Sequence, residues 1–210
     1  SPVDFHEKAV EIMLTCSVGV KNLLDLSLEK HSLFLQASTS ECYGDPLEHP
    51  QKETYRGNVS SIGPRAPYDE GKRFAEAMTM TYHRLHAVST RMVRIFNTYG
   101  PRMRSNDGRA LPNFINQALD GQPLTLHGDG SQTRSFCYVD DLVEAILRTA
   151  DSDCHEPINI GTDEEITVEQ AARTVIELTG SKSQMILTQR PVNDPERRRP
   201  DLSRARELLG

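Results

Sequence analysis

Helical and extended periodicities alternate along the first hundred residues, and nothing else in the sequence restricts the fold as strongly. From Asp4 to Lys30, residues Phe5, Ala9, Ile12, Cys16, Leu23 and Leu24 give one long helix a broad apolar side. Leu33-Phe34-Leu35-Gln36-Ala37 is then a short, largely apolar run suited to a buried parallel strand. A loop punctuated by Pro46, Pro50, Gly57, Gly63 and Pro64 leads to Tyr68. Tyr68 to about His86 predicts a second helix, with Ala75, Met78, Tyr82 and Leu85 at spacings of three and four. Met92-Val93-Arg94-Ile95-Phe96 is the next strand. Helix, strand, helix, strand at this spacing is the pattern of a parallel sheet covered by helices.

The second half is more mixed. Residues 113–119 read as helix, and Leu124-Thr125-Leu126 as a short strand. Asp140 is placed to cap a helix reaching Arg148. Thr167-Val168-Glu169-Gln170 matches a capping box before a helix that Gly180 ends. Ile158-Asn159-Ile160 and Met185-Ile186-Leu187 are candidate strands. A soft boundary falls near residue 101, with some later segments expected to return to the first sheet.

Net charge is -6, so a phosphate-rich polymer is repelled on average and nucleic acid is disfavoured as a partner. No run approaches the ~20 apolar residues of a membrane span. Cys16, Cys42, Cys137 and Cys154 form no Cys-x-x-Cys pair, which reads as small buried thiols in a reducing compartment. His83 and His86 lie three apart without a carboxylate cluster, so no metal is expected.

Ligands of open α/β sheets bind beyond the carboxyl ends of the strands. Two such ends are polar here, Thr39-Ser40-Glu41 and Asn97-Thr98. Between them lies Tyr68-x-x-x-Lys72, whose spacing of four puts phenol and ammonium on one helix face. A nearby ammonium favours the phenolate, which is expected to lower the phenol pKa and make Tyr68 a base toward a sugar hydroxyl.

Five stretches carry a resemblance to a known family. They are Ser38-Thr39-Ser40-Glu41-Cys42-Tyr43-Gly44-Asp45, Tyr68-Asp69-Glu70-Gly71-Lys72-Arg73, Arg94-Ile95-Phe96-Asn97-Thr98-Tyr99-Gly100-Pro101-Arg102, Asn106-Asp107-Gly108-Arg109, and Gly128-Asp129-Gly130-Ser131-Gln132-Thr133-Arg134-Ser135-Phe136. Together they resemble the extended short-chain dehydrogenase/reductases that act on nucleotide sugars. Thr39-Ser40-Glu41, and the tail Asp194-Pro195-Glu196-Arg197-Arg198-Arg199-Pro200-Asp201, are most similar to the branch that decarboxylates UDP-glucuronate.

The resemblance implies an α/β fold: a partial Rossmann-like sheet over residues 1–100, and a smaller, mainly nucleotide-sugar-binding α/β domain over 101–210. It implies NAD as cofactor, a UDP-sugar as substrate, a homodimer and a carboxy-lyase activity passing through a 4-ketone. Tyr68 and Lys72 would form the proton-transfer pair and, with Ser38 and Thr98, meet the cofactor. Thr39 would hydrogen-bond the C4 oxygen, and Ser40 and Glu41 would handle the carboxylate end and its replacing proton. Arg198 would bind the carboxylate. Asn97, Arg109, Asn113 and Arg134 would bind the remaining substrate; the bland alternative for Arg134 is an ion pair with Asp129. An epimerase or 4,6-dehydratase on another nucleotide sugar, or a non-catalytic UDP-binding chain, stays open.

Cys16 stands where the family usually has Asn. Ser1-Pro2-Val3 resembles the segment after the family's fourth strand, and nothing matches its Gly-rich dinucleotide loop. These 210 residues are therefore expected to bind NAD poorly by themselves. A cytoplasmic setting is expected, or a Golgi lumen if an anchor precedes the chain.

Overall fold

The computed structural model describes residues 7–190 and 194–210. In chain order its elements are α1 (Ala9–Leu14), a π-helical turn (Thr15–Gly19), α2 (Val20–Lys30), β1 (Phe34–Thr39), a 3₁₀ turn (Ser40–Tyr43), α3 (Ala66–His86), β2 (Thr90–Ile95) and β3 (Thr98–Tyr99). There follow α4 (Ala110–Leu119), β4 (Leu124–His127), β5 (Thr133–Arg134), β6 (Cys137–Tyr138), α5 (Val139–Asp151) and β7 (Pro157–Ile160). The chain closes with β8 (Ile166–Thr167), α6 (Val168–Thr179), β9 (Met185–Thr188), β10 (Arg197–Arg198) and α7 (Ser203–Leu209).

The main sheet has the order β1-β2-β7 and is wholly parallel. Successive side chains of a strand face opposite ways. Phe34 accordingly joins Val20, Leu24 and Ala75 under α2 and α3, while Leu35 joins Val93, Ile158, Ile160 and Leu142 on the side of α5. A separate core of Phe114, Ala118, Leu124, Leu126, Val168, Ala172 and Val175 ties α4 and α6 to β4. There β4 and β9 pair in parallel. Strand β7, from the second half, thus completes the first sheet.

α1, the π turn and α2 form one helical rod. Thr15 and Ser17 hydroxyls donate to the Glu11 and Met13 carbonyls in its middle (2.7 and 2.6 Å), a bonding mode that loosens the regular ladder. The rod buries Cys16, Val20, Leu24 and Ser27. Leu23, expected on that side, is 54% exposed, because one residue from Leu24 is a rotation of about 100° away from the stripe. Leu85 is 72% exposed in the last turn of α3, also against expectation. Asp4 and Phe5 lie outside the described residues. Gly71 is the close-approach point between rod and α3: a methyl there would stand 3.2 Å from Cys16 Cβ.

The capping box at Thr167 is present, with Gly180 closing α6 in the left-handed conformation. Asp140 does not cap α5. Tyr138 occupies the cap position, and Asp140 stands within the first turn, where a carboxylate complements the helix dipole.

Candidate active site

Strand β1 ends in Thr39, and the chain turns at once into the 3₁₀ turn, with Thr39 Oγ1 accepting from the Glu41 amide (3.3 Å). α3 starts at Ala66, with Pro67 in its first turn, so Tyr68 and Lys72 fall on its first two turns beside that strand end. The Tyr68 hydroxyl is hydrogen-bonded to Thr39. Lys72 Nζ donates to the Ala37 carbonyl (2.8 Å) and stands 5.9 Å from the Tyr68 ring centroid. That bond uses one of its three protons. Thr39, Tyr68 and Lys72 are therefore gathered at the carboxyl edge of the sheet. The expected lowering of the phenol is not found: burial, with the Glu41 charge adding to it, pushes Tyr68 up to about 12 despite the Thr39 bond.

Ser38 faces elsewhere. Its hydroxyl donates to Glu76 (2.6 Å), inside a buried cluster in which Arg94 pairs with Glu76 (2.7 Å). Only the backbone of Ser38 is left for a cofactor, because side chains of neighbouring strand residues point to opposite faces. Ser40 is buried in the 3₁₀ turn.

Glu41 is the electrostatic centre of the site. Both of its oxygens accept from Arg198, Oε2 at 2.8 Å, and Arg65 donates to Oε2 at 2.6 Å. Burial acts to raise this carboxyl, but the Arg198 and Arg65 charges outweigh it and hold the group down at about 2. Glu41 is therefore held as a carboxylate by its two arginines. Arg198 is 5% exposed, not part of a solvated charge run. Parallel pairing of β10 with β5 sets Arg198 against Arg134. Arg134 pairs with Asp194 (3.0 Å) rather than Asp129, whose carboxylate accepts from Ser131 instead (2.9 Å from the amide).

A cleft of about 580 Å³ is lined by Glu41, Asn97, Thr98, Arg109, Asn113, Arg134 and Arg198 of the predicted set, while Ser38, Thr39, Ser40, Tyr68 and Lys72 are not among its lining residues. Thr98 Oγ1 donates to the Phe96 carbonyl (3.0 Å), and Arg109 is paired with Asp107 (2.5 Å). Tyr68 lies near enough to Arg109 and Glu41 for each charge to act on its neighbour. The residues fit the nicotinamide end of NAD: Lys72 keeps donor protons beside a phenol already bonded to Thr39, and Thr98 lines the cleft.

Sequence reasoning passed over Arg65 and Asp69. Arg65 stands one turn ahead of Asp69 (3.8 Å) and shares itself with Glu41. Asp69 is 5% exposed, its Oδ1 meets no partner, and burial followed by the Glu41 charge pushes it up to about 7. An unfolded Asp titrates near 3.9. Between these values the folded chain holds a proton that the unfolded chain has lost, so stability falls as pH rises through this window. Asp69→Asn is expected to stabilise the protein by on the order of 3 kcal/mol at pH 8, with the gain vanishing below about pH 4. Urea unfolding at both pH values checks this; an Asn variant weaker than its parent at pH 8 contradicts it.

A profile described as "NAD dependent epimerase/dehydratase family" matches residues 2–161. The chain is 48% identical over its whole length to UDP-glucuronic acid decarboxylase 6 of Arabidopsis thaliana, covering 61% of that protein. It is 45% identical to UDP-glucuronic acid decarboxylase 1 of Xenopus tropicalis, covering 50% of it. The chain thus spans between half and two thirds of these relatives. Among solved structures, it resembles a UDP-glucose 4-epimerase of Thermotoga maritima with UDP-glucose (TM-score 0.91, 26% identity, 100% of this chain and 67% of the other). It also resembles a UDP-glucuronic acid 4-epimerase of Bacillus cereus in complex with UDP-glucuronic acid and NAD (TM-score 0.82, 26% identity, 93% and 62%).

Proposed function

The chain belongs to the NAD dependent epimerase/dehydratase family, and from that premise we propose that it carries the substrate-binding and proton-transfer side of an enzyme converting UDP-glucuronate to UDP-xylose through a 4-keto sugar. One observation carries the reading: Arg198, on the cleft wall, engages Glu41 through both Nη atoms, and the Glu41 charge in turn reaches Tyr68, whose hydroxyl is bonded to Thr39. Glu41 takes one donor on each Nη of Arg198, and the remaining N–H groups of that guanidinium are what the carboxylate of the proposed substrate would meet.

NAD, when bound, supplies a hydride acceptor and returns the hydride at the end of the cycle. Tyr68 Oη takes the C4 hydroxyl proton while Thr39, bonded to it, orients the C4 oxygen. Lys72 offers its remaining protons to the developing tyrosinate and to the cofactor ribose, with Thr98 near by. Oxidation at C4 leaves a β-keto acid. Its C–CO2 electron pair passes into the ketone as an enolate, CO2 departs, and a proton replaces it at carbon. Arg198 aligns the carboxylate. Glu41, ionised, holds Arg198 and Arg65 in place, and Ser40 backs that turn. Asn97 meets the sugar, and Arg109, Asn113 and Arg134 the nucleotide side.

The full-length protein, incubated with UDP-glucuronate and NAD, is expected to release CO2 and UDP-xylose in equal amounts. A six-carbon uronate product without CO2 would replace this reading by epimerisation, and no conversion at all would reject both.

A homodimer belongs to the same proposal. Exposed Val10, Met13, Leu14, Val18 and Phe74 on the rod and α3 support it. Among the described residues no helix is long and apolar enough to cross a membrane. The four free cysteines support a reducing, cytoplasmic setting.

A further inference from the structure

Each arginine on the cleft wall is already met by a carboxylate of the chain: Arg109 by Asp107, Arg65 and Arg198 by Glu41, and Arg134 by Asp194. These pairings are unequal. Asp107 lies two residues from Arg109 and follows it locally. Glu41 is clasped by two guanidinia and buried. Asp194 comes from the segment between β9 and β10, and its Oδ2 meets Arg134 Nη2 at 3.0 Å and Arg190 Nε at 3.8 Å. Its charge also reaches Arg65. A single carboxylate in the cleft wall thus meets the charges of three guanidinia, Arg134 and Arg65 in that wall and Arg190 outside it. Arg134 keeps an independent hold, Nη1 donating to the Thr133 carbonyl (2.7 Å), so it stays in place without Asp194.

We propose that Asp194 is an internal counter-anion occupying the phosphate position at Arg134, and that it sets ligand specificity by preventing a phosphate group alone from holding the cleft. The inference rests on the reading that the cleft takes a UDP-sugar. An anion entering at Arg134 must displace or face Asp194, so its Coulomb gain is reduced. The uridine and sugar must then supply the rest of the affinity.

The test measures binding of UDP, inorganic pyrophosphate and uridine to the full chain by calorimetry, for the parent, Asp194→Asn and Asp151→Asn. Asp151 ends α5 and removes the same charge away from the cleft. Asp194→Asn is expected to bind UDP about tenfold more tightly and to gain pyrophosphate binding, with uridine unchanged. Asp151→Asn is expected to match the parent. Equal tightening in both variants would assign the effect to net charge and overturn the inference. Unchanged or weaker UDP binding by Asp194→Asn, with the parent binding UDP, would overturn it and leave the functional reading standing. Absence of UDP binding in every form would overturn both. Asp194→Ser repeats the test should the Asn variant fail to fold.

Discussion

Tyr68→Phe is expected to lower kcat for UDP-glucuronate by about 10³-fold while leaving KM within a few-fold of the parent, since a positioned acid or base contributes roughly 10²–10⁴-fold. The split follows from where the phenol stands. Its hydroxyl is bonded to Thr39 at the strand end, whereas the charged side chains that would bind the nucleotide, Arg109 and Arg134, line the cleft beyond it. Removing one oxygen leaves those partners untouched. Burial pushes the phenol up to about 12 in the chain alone. Proton removal at neutral pH therefore depends on positive charge near Tyr68, which the protein offers in Lys72, 5.9 Å from the ring centroid, and in Arg109. Lys72→Met should then lower kcat in the same direction and move its alkaline-side pH dependence, which a purely structural lysine would leave in place. Steady-state rates across pH 6–10 decide the matter. Activity of Tyr68→Phe within threefold of the parent would remove Tyr68 from the reaction.

What could be read from the sequence was local. The Tyr68–Lys72 spacing, the Thr167 capping box with Gly180, and the alternation that yields β1, α3 and β2 all depend on residues a few positions apart. Periodicity carries that information because helix and strand repeats are short. Long-range pairings left no such mark. Glu41 meets Arg65 across 24 positions and Arg198 across 157, and no spacing rule links them. The pairing of Arg134 with Asp194 left no mark for the same reason: Asp129, the bland alternative, is close in sequence, whereas Asp194 is close only in space. The direction of the Tyr68 shift was missed because a one-turn argument includes the ammonium and omits burial. Asp69 was overlooked because an acidic residue in the first turn of a helix ordinarily serves the dipole at the surface; here the 3₁₀ turn and β10 bring Glu41 and Arg198 against it.

Glu41→Gln is expected to destabilise the full chain by about 3–5 kcal/mol at pH 7, the cost of leaving a buried ion pair with one partner missing. Arg198 is 5% exposed and Arg65 half-buried, so neither guanidinium can recover in water what it loses. A neutral amide offers one acceptor oxygen where the carboxylate offered two, and its NH2 would face the donors of Arg198. The pH dependence separates this cause from a packing defect. Glu41 titrates at about 2 when folded, below the 4.5 of a free carboxyl. A depressed carboxyl contributes stability above its unfolded value and loses it as pH falls toward the folded one. The difference between parent and Glu41→Gln should therefore be constant from about pH 6 to 8, shrink below about 4.5 and be small near 2. Urea midpoints at pH 7 and pH 3 measure both ends. A loss under 1 kcal/mol at pH 7, or a loss that stays the same at pH 3, would mean that the two arginines do not depend on this charge, and that the carboxylate-shaped site at Arg198 is held by something else.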